Sequence, residues 1–423
     1  MNHFELRDGE LHCEGVPLSR IAASVGTPVY VYSAATLRRH FNVFRNALRS
    51  HPQIGEPLVA YAVKANSNVQ VLKVLAAEGA GADTVSEGEI RRALAAGVTP
   101  DKIVFSGVGK TRAEIAFALT TGVAEINVES EPEVKLIAQV AAELGVKAKI
   151  AFRVNPDVSA GGHAKISTGK AENKFGVPIS EARAIFDRLA GLPGLNLRGV
   201  AIHIGSQLAD LAPLEAAYRR IGQLVQELRA AGHAISHVDL GGGLGVPYKA
   251  GDVFPSPAAY GAMVARVTDG WDATLMFEPG RVIAGNAGVL LTRVIWVKPG
   301  VTNPYVIVDA AMNDLARPAM YDAWHDFAAV RPTGDRMTAN IAGPVCESGD
   351  TFAMGRDIDS VKSGDLAIFR TAGAYGATMA STYNSRALVP EVLVSGDRYA
   401  VVADRIQPET ILAAERLPEW LTA

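Results

Sequence analysis

Residues 58–79 read LVAYAVKANSNVQVLKVLAAEG, and this stretch sets the pattern for most of the chain. A run of small and β-branched apolar residues comes first, apolar residues at helical spacing follow, and a glycine marks the end of the helix. The same alternation gives eight strand candidates, separated by seven helical stretches, at 58–66, 81–86, 102–107, 125–130, 147–156, 197–207, 235–245 and 273–281. Eight such units in roughly 230 residues favour a closed (β/α)₈ TIM-type barrel over an open parallel sheet.

The rhythm changes after about residue 285. Strand-like runs joined by Gly, Pro and Asp turns indicate a mainly antiparallel β-domain, and they lie at 289–298, 304–310, 366–375 and 391–406. The N-terminal segment carries an Asp-Gly hairpin signal and the strand-like VYVYS, and we expect it to join this β-domain. The predicted boundaries are therefore 32–285 for the barrel, and 1–31 with 286–423 for a β-domain that completes the active site.

Composition excludes several classes of protein. Hydrophobic residues make up 48% of the 423, which is enough for a large core and argues against disorder. A net charge of −3 argues against nucleic-acid partners and polybasic membrane contacts. No apolar stretch reaches the ~18 residues of a membrane span, and MNHFELRDGELH lacks the apolar centre of a secretory signal. Two cysteines, Cys13 and Cys346, form neither a disulfide framework nor a zinc cluster by themselves. We expect a soluble, cytoplasmic protein without a metal site.

Unusual polar residues fall where the barrel strands end, which is where barrel enzymes place their chemistry. Lys64 lies within the first strand candidate, Asp83 ends the second, and His203 lies within the sixth. A glycine triplet at 241–243 closes the seventh strand, and EPGR at 278–281 closes the eighth. Together they predict a mouth lined by an amine, an imidazole, carboxylates, an arginine and a glycine-rich anion site.

Each of these residues has an ordinary structural interpretation beside the functional one. Because an unpaired buried amine costs several kcal/mol, Lys64 either pairs with Asp83 or is a desolvated amine suited to forming a Schiff base. His203 is either a core histidine or a ring facing the mouth, with the hydroxyl of Ser206 three residues further on. The glycine triplet is either a flexible turn or a phosphate site.

Three further residues are equally open. Glu278 is either a salt-bridge partner of Arg281 or a ligand for a protonated ring nitrogen of a cofactor. Arg281 itself has the charge to bind a phosphate or a carboxylate. Cys346 is either a small buried residue or, given its polar neighbour Glu347, a reactive thiol.

The ordered motifs resemble a known family. YAVKAN (61–66), HIGSQ (203–207), GGGLG (241–245) and EPGR (278–281) are similar to the alanine-racemase-like barrel of the fold III pyridoxal-phosphate (PLP) decarboxylases of basic amino acids. Four more segments narrow the resemblance to members that convert meso-2,6-diaminopimelate to L-lysine and CO₂, and these are RVNPDV (153–158), ISTGKAENKFG (166–176), ARPAMYDAWH (316–325) and GPVCESGD (343–350). The resemblance covers essentially the whole chain.

The resemblance implies a role for each matching residue. Lys64 would hold PLP covalently, Glu278 would pair with the pyridine nitrogen and His203 would stack on the ring. The full implied cofactor-binding set is Lys64, Asp83, His203, Ser206, Gly241, Gly242, Gly243, Glu278, Pro279, Gly280, Arg281 and Tyr375. The implied catalytic residues are Lys64, His203 and Cys346.

The implied substrate contacts lie mostly in the C-terminal part. Arg281, Arg317 and Tyr321 would bind the distal carboxylate of the substrate, Glu347 would bind its distal ammonium, and Tyr375 completes this set. Cys346 would come from the partner subunit and protonate the carbanion, which implies a homodimer with shared active sites. An ornithine or lysine substrate would present only an amine at its far end, and a buried arginine would repel it.

One departure from the family pattern and three alternatives remain. Lys165 stands where many relatives carry an aromatic residue, which leaves the behaviour of the 157–175 loop open. The first alternative is a related decarboxylase of ornithine, arginine or a carboxylated polyamine, against which Arg317 and Tyr321 argue. The second is a PLP-binding protein without turnover, against which the presence of Cys346 and Glu347 argues. A cofactor-free barrel would leave the polar strand ends unexplained.

Overall fold

A computed structural model describes residues 3–159 and 174–421, so Lys165 and most of the 157–175 loop lie outside the described residues. The chain forms two compact units. The barrel unit comprises Leu37–Pro247 and Gly251–Ile283, and the β-unit comprises Met1–Thr36, Tyr248–Ala250 and Ala284–Ala423. No helix within the described ranges is long and apolar enough to cross a bilayer.

The N-terminal segment forms a small sheet followed by a longer strand. Its elements are β1 (Phe4–Arg7), β2 (Glu10–Cys13), β3 (Val16–Pro17), α1 (Leu18–Val25) and β4 (Val29–Ser33). Strands β1 and β2 pair antiparallel around Asp8 and Gly9, both at positive φ as a tight hairpin turn requires. The Asp-Gly hairpin prediction is confirmed.

The barrel unit alternates strands and helices along the chain. Its helices are α2 (Ala34–Arg49), α3 (Val69–Ala77), α4 (Glu87–Ala95), α5 (Arg112–Thr121), α6 (Glu131–Leu144), α7 (Ile179–Leu189), α8 (Ala212–Ala230), α9 (Pro257–Thr268) and α10 (Arg281–Ala284). Its strands are β5 (Leu58–Ala62), β6 (Gly81–Thr84), β7 (Ile103–Phe105), β8 (Glu125–Val128), β9 (Ala148–Asn155), β10 (Val177–Pro178), β11 (Leu195–Ala201), β12 (His237–Asp239) and β13 (Thr274–Phe277).

Eight of these strands close into a barrel. The order of parallel neighbours is β5-β6-β7-β8-β9-β11-β12-β13, and β13 pairs back with β5. Within the described residues, the short β10 pairs with β9. The predicted (β/α)₈ barrel is confirmed. Side chains at the helix starts fix where each strand-to-loop turn becomes helix: Ser86 and Ser130 accept an amide N–H of the first turn, and Thr111 forms a capping box with Glu114.

The rest of the β-unit is a mixed sheet. Its elements are β14 (Gly288–Lys298), β15 (Tyr305–Val308), α11 (Arg317–Tyr321), β16 (Phe327–Ala329), β17 (Arg336–Ala342), β18 (Thr351–Asp359), β19 (Leu366–Phe369), β20 (Glu391–Ser395), β21 (Arg398–Ala403) and α12 (Pro408–Leu412). The main strand order is β18-β17-β15-β14-β4-β20-β21, with β19 pairing β14 and β16. All these pairs are antiparallel except β15–β17 and β4–β20.

This sheet confirms the mainly antiparallel β-domain and the joining of the N-terminal strand to it. Strands β4, β14 and β20 share a buried apolar core with α1, which includes Leu18, Ile21, Val31, Leu291 and Val392. Burying each such side chain contributes about 1.5–3 kcal/mol relative to its exposure. The strand predicted for 366–375 ends earlier, at Phe369, because Thr371 and Tyr375 adopt positive φ in the loop that follows.

Candidate active site

Lys64 lies at the mouth of the barrel, in a 3₁₀ turn (Val63–Ala65) directly after β5. The expectation that it lies within the strand is therefore wrong by two residues, because β5 ends at Ala62. Its Nζ donates to Asp83 Oδ2 at 2.7 Å, and Asp83 on β6 is fully buried whereas the Lys64 side chain is 38% exposed. The ion pair considered from the sequence is thus present, and the amine still lines a cavity.

His203 lies two residues after the end of β11, so it belongs to the loop and not to the strand as expected. Its Nδ1 accepts the N–H of Gly242 at 3.3 Å, so a neutral ring carries its proton on Nε2. The half-buried ring lines the cavity, and burial lowers the pKa of His203 well below its usual value. The charges of Arg153 and Lys64 lower it further, so the imidazole is neutral at pH 7.

The glycine triplet is a packed turn between two neighbouring loops. A Cβ at Gly241 would lie 2.2 Å from the Ile202 carbonyl oxygen, and one at Gly242 would lie 2.3 Å from that of Glu278. Gly241 and Gly243 also adopt φ of +64° and +117°, which disfavour any larger residue. Only glycine therefore allows the ends of β11, β12 and β13 to approach this closely.

Arg281 and Ser206 lie together at the same end of the barrel. Arg281 begins α10 and is buried, and its Nη2 donates to Ser206 Oγ at 3.2 Å. Pro279, within the same EPGR segment, accepts the N–H of Ala62 through its carbonyl at 3.1 Å. Gly280 accepts the N–H of Ile283 at 3.1 Å, which holds the short turn into α10.

Glu278 follows β13 directly and has neutral donors around its carboxyl group. Its Oε1 accepts Ser106 Oγ at 3.3 Å and Asn127 Nδ2 at 3.4 Å. Burial raises the pKa of Glu278 well above its usual value, and the nearby carboxyls of Asp239 and Asp83 raise it further. These hydrogen bonds to the Glu278 carboxyl thus come from two neutral side chains, those of Ser106 and Asn127.

These side chains enclose a cavity of about 220 Å³ at the barrel mouth. Its polar lining consists of Lys64, Ser106, Asn127, Arg153, His203, Asp239 and Glu278. Four of these residues, Ser106, Asn127, Arg153 and Asp239, were not predicted from the sequence. Each lies within or directly after a barrel strand. The signal that indicated Lys64, a polar residue near the end of an apolar strand, was therefore present for these four residues as well.

Arg317 in the β-unit is the first residue of α11 and is only 6% exposed, so it is not a surface residue. Its Nη1 donates to His325 Nε2 at 2.9 Å, and the His325 Nδ1–H donates to the Arg370 carbonyl at 2.9 Å. The guanidinium carbon also lies 4.7 Å from the ring centre of Tyr248. Both contacts fix the orientation of the guanidinium plane. Tyr321 ends the same helix and is half-buried.

Cys346 and Glu347 lie on an exposed loop of the β-unit. The buried carboxylate of Asp350 holds this loop, since it accepts the N–H groups of Val345 at 2.7 Å and Met312 at 2.6 Å. The Cys346 amide donates to Asn384 Oδ1 at 3.0 Å. The thiol is therefore presented to solvent on a fixed backbone, and Cys346 is not a buried apolar residue.

Tyr375 lies in the loop after β19 and is half-buried. Its φ of 56° is in the left-handed region, which costs a residue other than glycine about 1–3 kcal/mol. Strain of this kind persists where the surrounding structure fixes the backbone, and it is concentrated at functional sites.

With this geometry established, comparisons identify the class. A family model described as "Pyridoxal-dependent decarboxylase, pyridoxal binding domain" matches residues 34–285. The chain belongs to the PLP-dependent decarboxylases, as its motifs indicate, and its cofactor is PLP.

Full-length relatives are more specific. The chain is 52% identical over 421 residues to a diaminopimelate decarboxylase of Zymomonas mobilis, and 50% identical over 418 residues to one of Pseudomonas aeruginosa, in each case across 99% of both sequences. The crystal structure of diaminopimelate decarboxylase from M. jannaschii in co-complex with L-lysine superposes with a TM-score of 0.95 at 35% identity, over 99% of both chains. A lysine/ornithine decarboxylase of Vibrio vulnificus is 21% identical with a TM-score of 0.78, and that likeness shows the fold alone.

The residues at the barrel mouth fit PLP. An accessible amine, a neutral imidazole and a buried carboxyl line one cavity, which suits the aldehyde, the ring and the ring nitrogen. Asp83 Oδ1 is buried, and within residues 3–159 and 174–421 no donor reaches it. Packed glycines with the nearby Arg281 and Ser206 suit a phosphate group.

Proposed function

We propose that this chain converts meso-2,6-diaminopimelate to L-lysine and CO₂ with PLP, as the last step of lysine biosynthesis. The observation that carries the proposal is the buried, oriented Arg317 in a chain that matches diaminopimelate decarboxylases over 99% of its length. The barrel at 32–285 binds the cofactor, and the segments 1–31 and 286–423 form a β-domain that supplies substrate-binding residues. The enzyme acts in the cytoplasm.

Cofactor binding is the task of the barrel mouth. Lys64 holds PLP, Asp83 keeps the amine oriented, and the flat neutral ring of His203 packs against the cofactor ring. The carboxyl group of Glu278 binds the ring nitrogen. The phosphate is bound by Ser206 and Tyr375, by the amides of Gly241, Gly242 and Gly243, and by the Pro279, Gly280 and Arg281 backbone. When bound, PLP supplies the electron sink that accepts the electron pair released as the carboxylate leaves.

The distal end of the substrate sets specificity. Arg317 binds the distal carboxylate through the planar fork that matches it, with Tyr321 and Arg281 beside it. Glu347 binds the distal ammonium, and Tyr375 contributes a hydroxyl. Because a site built for a buried carboxylate leaves its arginine uncompensated when that group is missing, analogues such as ornithine are rejected by factors on the order of 10⁴.

Protonation of Cα is the task of Cys346. Its thiol is exposed on a loop that Asp350 holds in place, which makes it available to the active site of a second subunit. The Sγ proton moves to Cα after CO₂ leaves, and the site is therefore complete only in a homodimer.

The test is CO₂ release from the PLP-loaded protein, with meso-diaminopimelate, ornithine and arginine compared side by side. We expect release from diaminopimelate alone, with L-lysine as the product. Release from ornithine or arginine would keep the reaction and refute the role of Arg317. An intact visible absorbance of bound PLP without any CO₂ would indicate a PLP-binding protein without turnover.

A further inference from the structure

Two buried carboxyl groups lie in contact at the barrel mouth, and one of them has no role in the mechanism above. Asp239 ends β12, and Glu278 follows β13, the next strand of the barrel. We call Asp239 and Glu278 the acid pair. Asn127 Nδ2 lies 2.8 Å from Asp239 Oδ2 and 3.4 Å from Glu278 Oε1, so one amide group bridges the pair. Asp239 is 1% exposed.

The hydrogen bonds of the two carboxyls are unequal. Asp239 accepts two short bonds, from Asn127 and, through Oδ1, from the Gly241 N–H at 2.9 Å. Glu278 accepts only longer bonds, at 3.3 Å and 3.4 Å. Because N–H donors stabilise the ionised form of a carboxyl, the negative charge belongs on Asp239 and a shared proton belongs on Glu278.

The neighbouring carboxyls of Asp239 and Asp83 favour the retention of that proton, and the Lys64 cation opposes it. Two adjacent buried carboxyls cannot both ionise at low cost, and their protons come off as those of a pair. Burial raises the pKa of both groups. The ionisable side chains that face the pair from the surrounding strands and helices are Lys64, Asp83, Glu125, Arg153, His203, Tyr218 and Tyr260.

We propose that Asp239 is a positioning residue that keeps one proton on Glu278 in the cofactor-free protein, and that Glu278 gives up this proton when the ring of PLP binds. The Glu278 O–H bond breaks, the proton passes to an unprotonated ring nitrogen or, when the ring arrives as the pyridinium, to solvent, and Glu278 is left ionised beside the cation. Asp239 also accepts the Gly241 amide, so it fixes the start of the glycine triplet at the same time. The proposal rests on PLP as the cofactor and is independent of the substrate.

Asp239→Asn is the decisive variant. It keeps the shape, removes the like charge, and provides an amide N–H that can donate to Glu278, so Glu278 becomes ionised before PLP binds. The cofactor-free variant then holds one proton fewer than wild type, and Glu278 has none to give up when PLP binds. Because a difference of one bound proton changes the ratio of two affinities tenfold per pH unit, the Kd of D239N for PLP should rise tenfold per unit relative to wild type.

The number of protons taken up is measured by titrating cofactor-free protein with PLP in a calorimeter, in buffers of different ionisation enthalpy at pH 7 to 8. We expect D239N to take up about one proton more than wild type, by the same linkage. The matched control is Glu133→Gln, a largely buried carboxyl of the same barrel that pairs with Lys110 at 2.7 Å, and its count should equal that of wild type. Equal counts for D239N and wild type would overturn the proposal.

A second measurement needs no variant. Infrared difference spectra of the wild-type protein should show the loss of a protonated carboxyl band when PLP binds, and its absence would overturn the proposal even if D239N fails to fold. The results of these PLP-binding measurements are independent of the CO₂ assay, because they use PLP alone and no substrate. A chain that binds PLP with the expected proton count but decarboxylates nothing would refute the proposed function only, and one that binds no PLP would overturn both.

Discussion

Arg317→Gln is the sharpest test of substrate choice. The guanidinium is 6% exposed and oriented by His325 at 2.9 Å and by the ring of Tyr248, so it is in place before substrate arrives. Removing one partner of a buried ion pair costs about 3–5 kcal/mol, because the other charge is left without compensation. Since each 1.4 kcal/mol is a factor of ten, kcat/KM for diaminopimelate should fall roughly 100-fold to several thousand-fold.

The assay is CO₂ release with diaminopimelate over a range of concentrations, and the loss should appear largely in KM. The visible absorbance of bound PLP should be unchanged, because Arg317 lies outside the barrel unit that holds the cofactor. Arg336→Gln is the matched control: this arginine of the β-unit is exposed and pairs with Asp357 and Asp359 at the surface, where such pairs contribute about 0–1 kcal/mol. Its kinetics should match those of wild type.

D-Lysine provides an internal comparison, since it is diaminopimelate without the distal carboxylate, whereas the product L-lysine keeps that group. Wild type should have a much higher kcat/KM for diaminopimelate than for D-lysine. Arg317→Gln should reduce this difference, because the variant loses both the attraction for the distal carboxylate and the repulsion of an ammonium that has no carboxylate beside it. A fall in kcat/KM of less than tenfold, or an equal fall for both compounds, would refute the distal-carboxylate role.

Three other variants test separate parts of the site. Lys64→Ala should abolish the visible absorbance of protein-bound PLP together with activity, and a retained band would refute its attachment role. Cys346→Ala should keep that absorbance and lower kcat by roughly 10²–10⁴, the usual range for a proton donor, whereas a normal rate would exclude the thiol. Glu125→Gln tests how the burial of this carboxyl affects stability. Burial raises the pKa of Glu125 to about 7, so the free energy of unfolding of wild type should fall by about 3 kcal/mol as pH rises from 4.5 to 7. Urea unfolding at several pH values should show that the free energy of unfolding of the variant does not fall in this way. Parallel pH profiles for variant and wild type would contradict the prediction.

The sequence contained enough to predict the barrel but not all of the β-unit. Strand-like and helical stretches alternate from residue 58 to 281, and each apolar strand run is distinct. Strands β17 and β18 escaped prediction because exposed polar residues such as Thr338 and Asp357 interrupt their apolar pattern, so that part of the chain does not form an apolar run. Their pairing depends on partners distant in sequence, which a local pattern does not reveal.

Site residues were predictable where a polar residue interrupts an apolar strand-like run. Lys64 and His203 stand out as polar residues at the ends of apolar strands, although both lie just beyond the strand and not within it. Asn127 and Asp239 are separated by 112 positions and become neighbours only when the barrel closes. Hydrogen bonds of that kind follow from tertiary structure alone. The roles assigned to Tyr375, Tyr321 and the other implied residues stay predictions until the variants are measured.

Buried acids at the two ends of the barrel strands differ in how well their charges are compensated. Glu125 begins β8, and an arginine, Arg198, compensates it at 3.0 Å. At the other end, Glu278 and Asp239 contact each other and are held by amide and hydroxyl donors, so their burial is less well compensated. A ligand that binds only the folded state and relieves such repulsion stabilises it, by about 4 kcal/mol at a thousand times its Kd. The acid pair at the mouth of the barrel therefore does not serve stability. Such departures from the rules of core packing are expected where a cofactor binds.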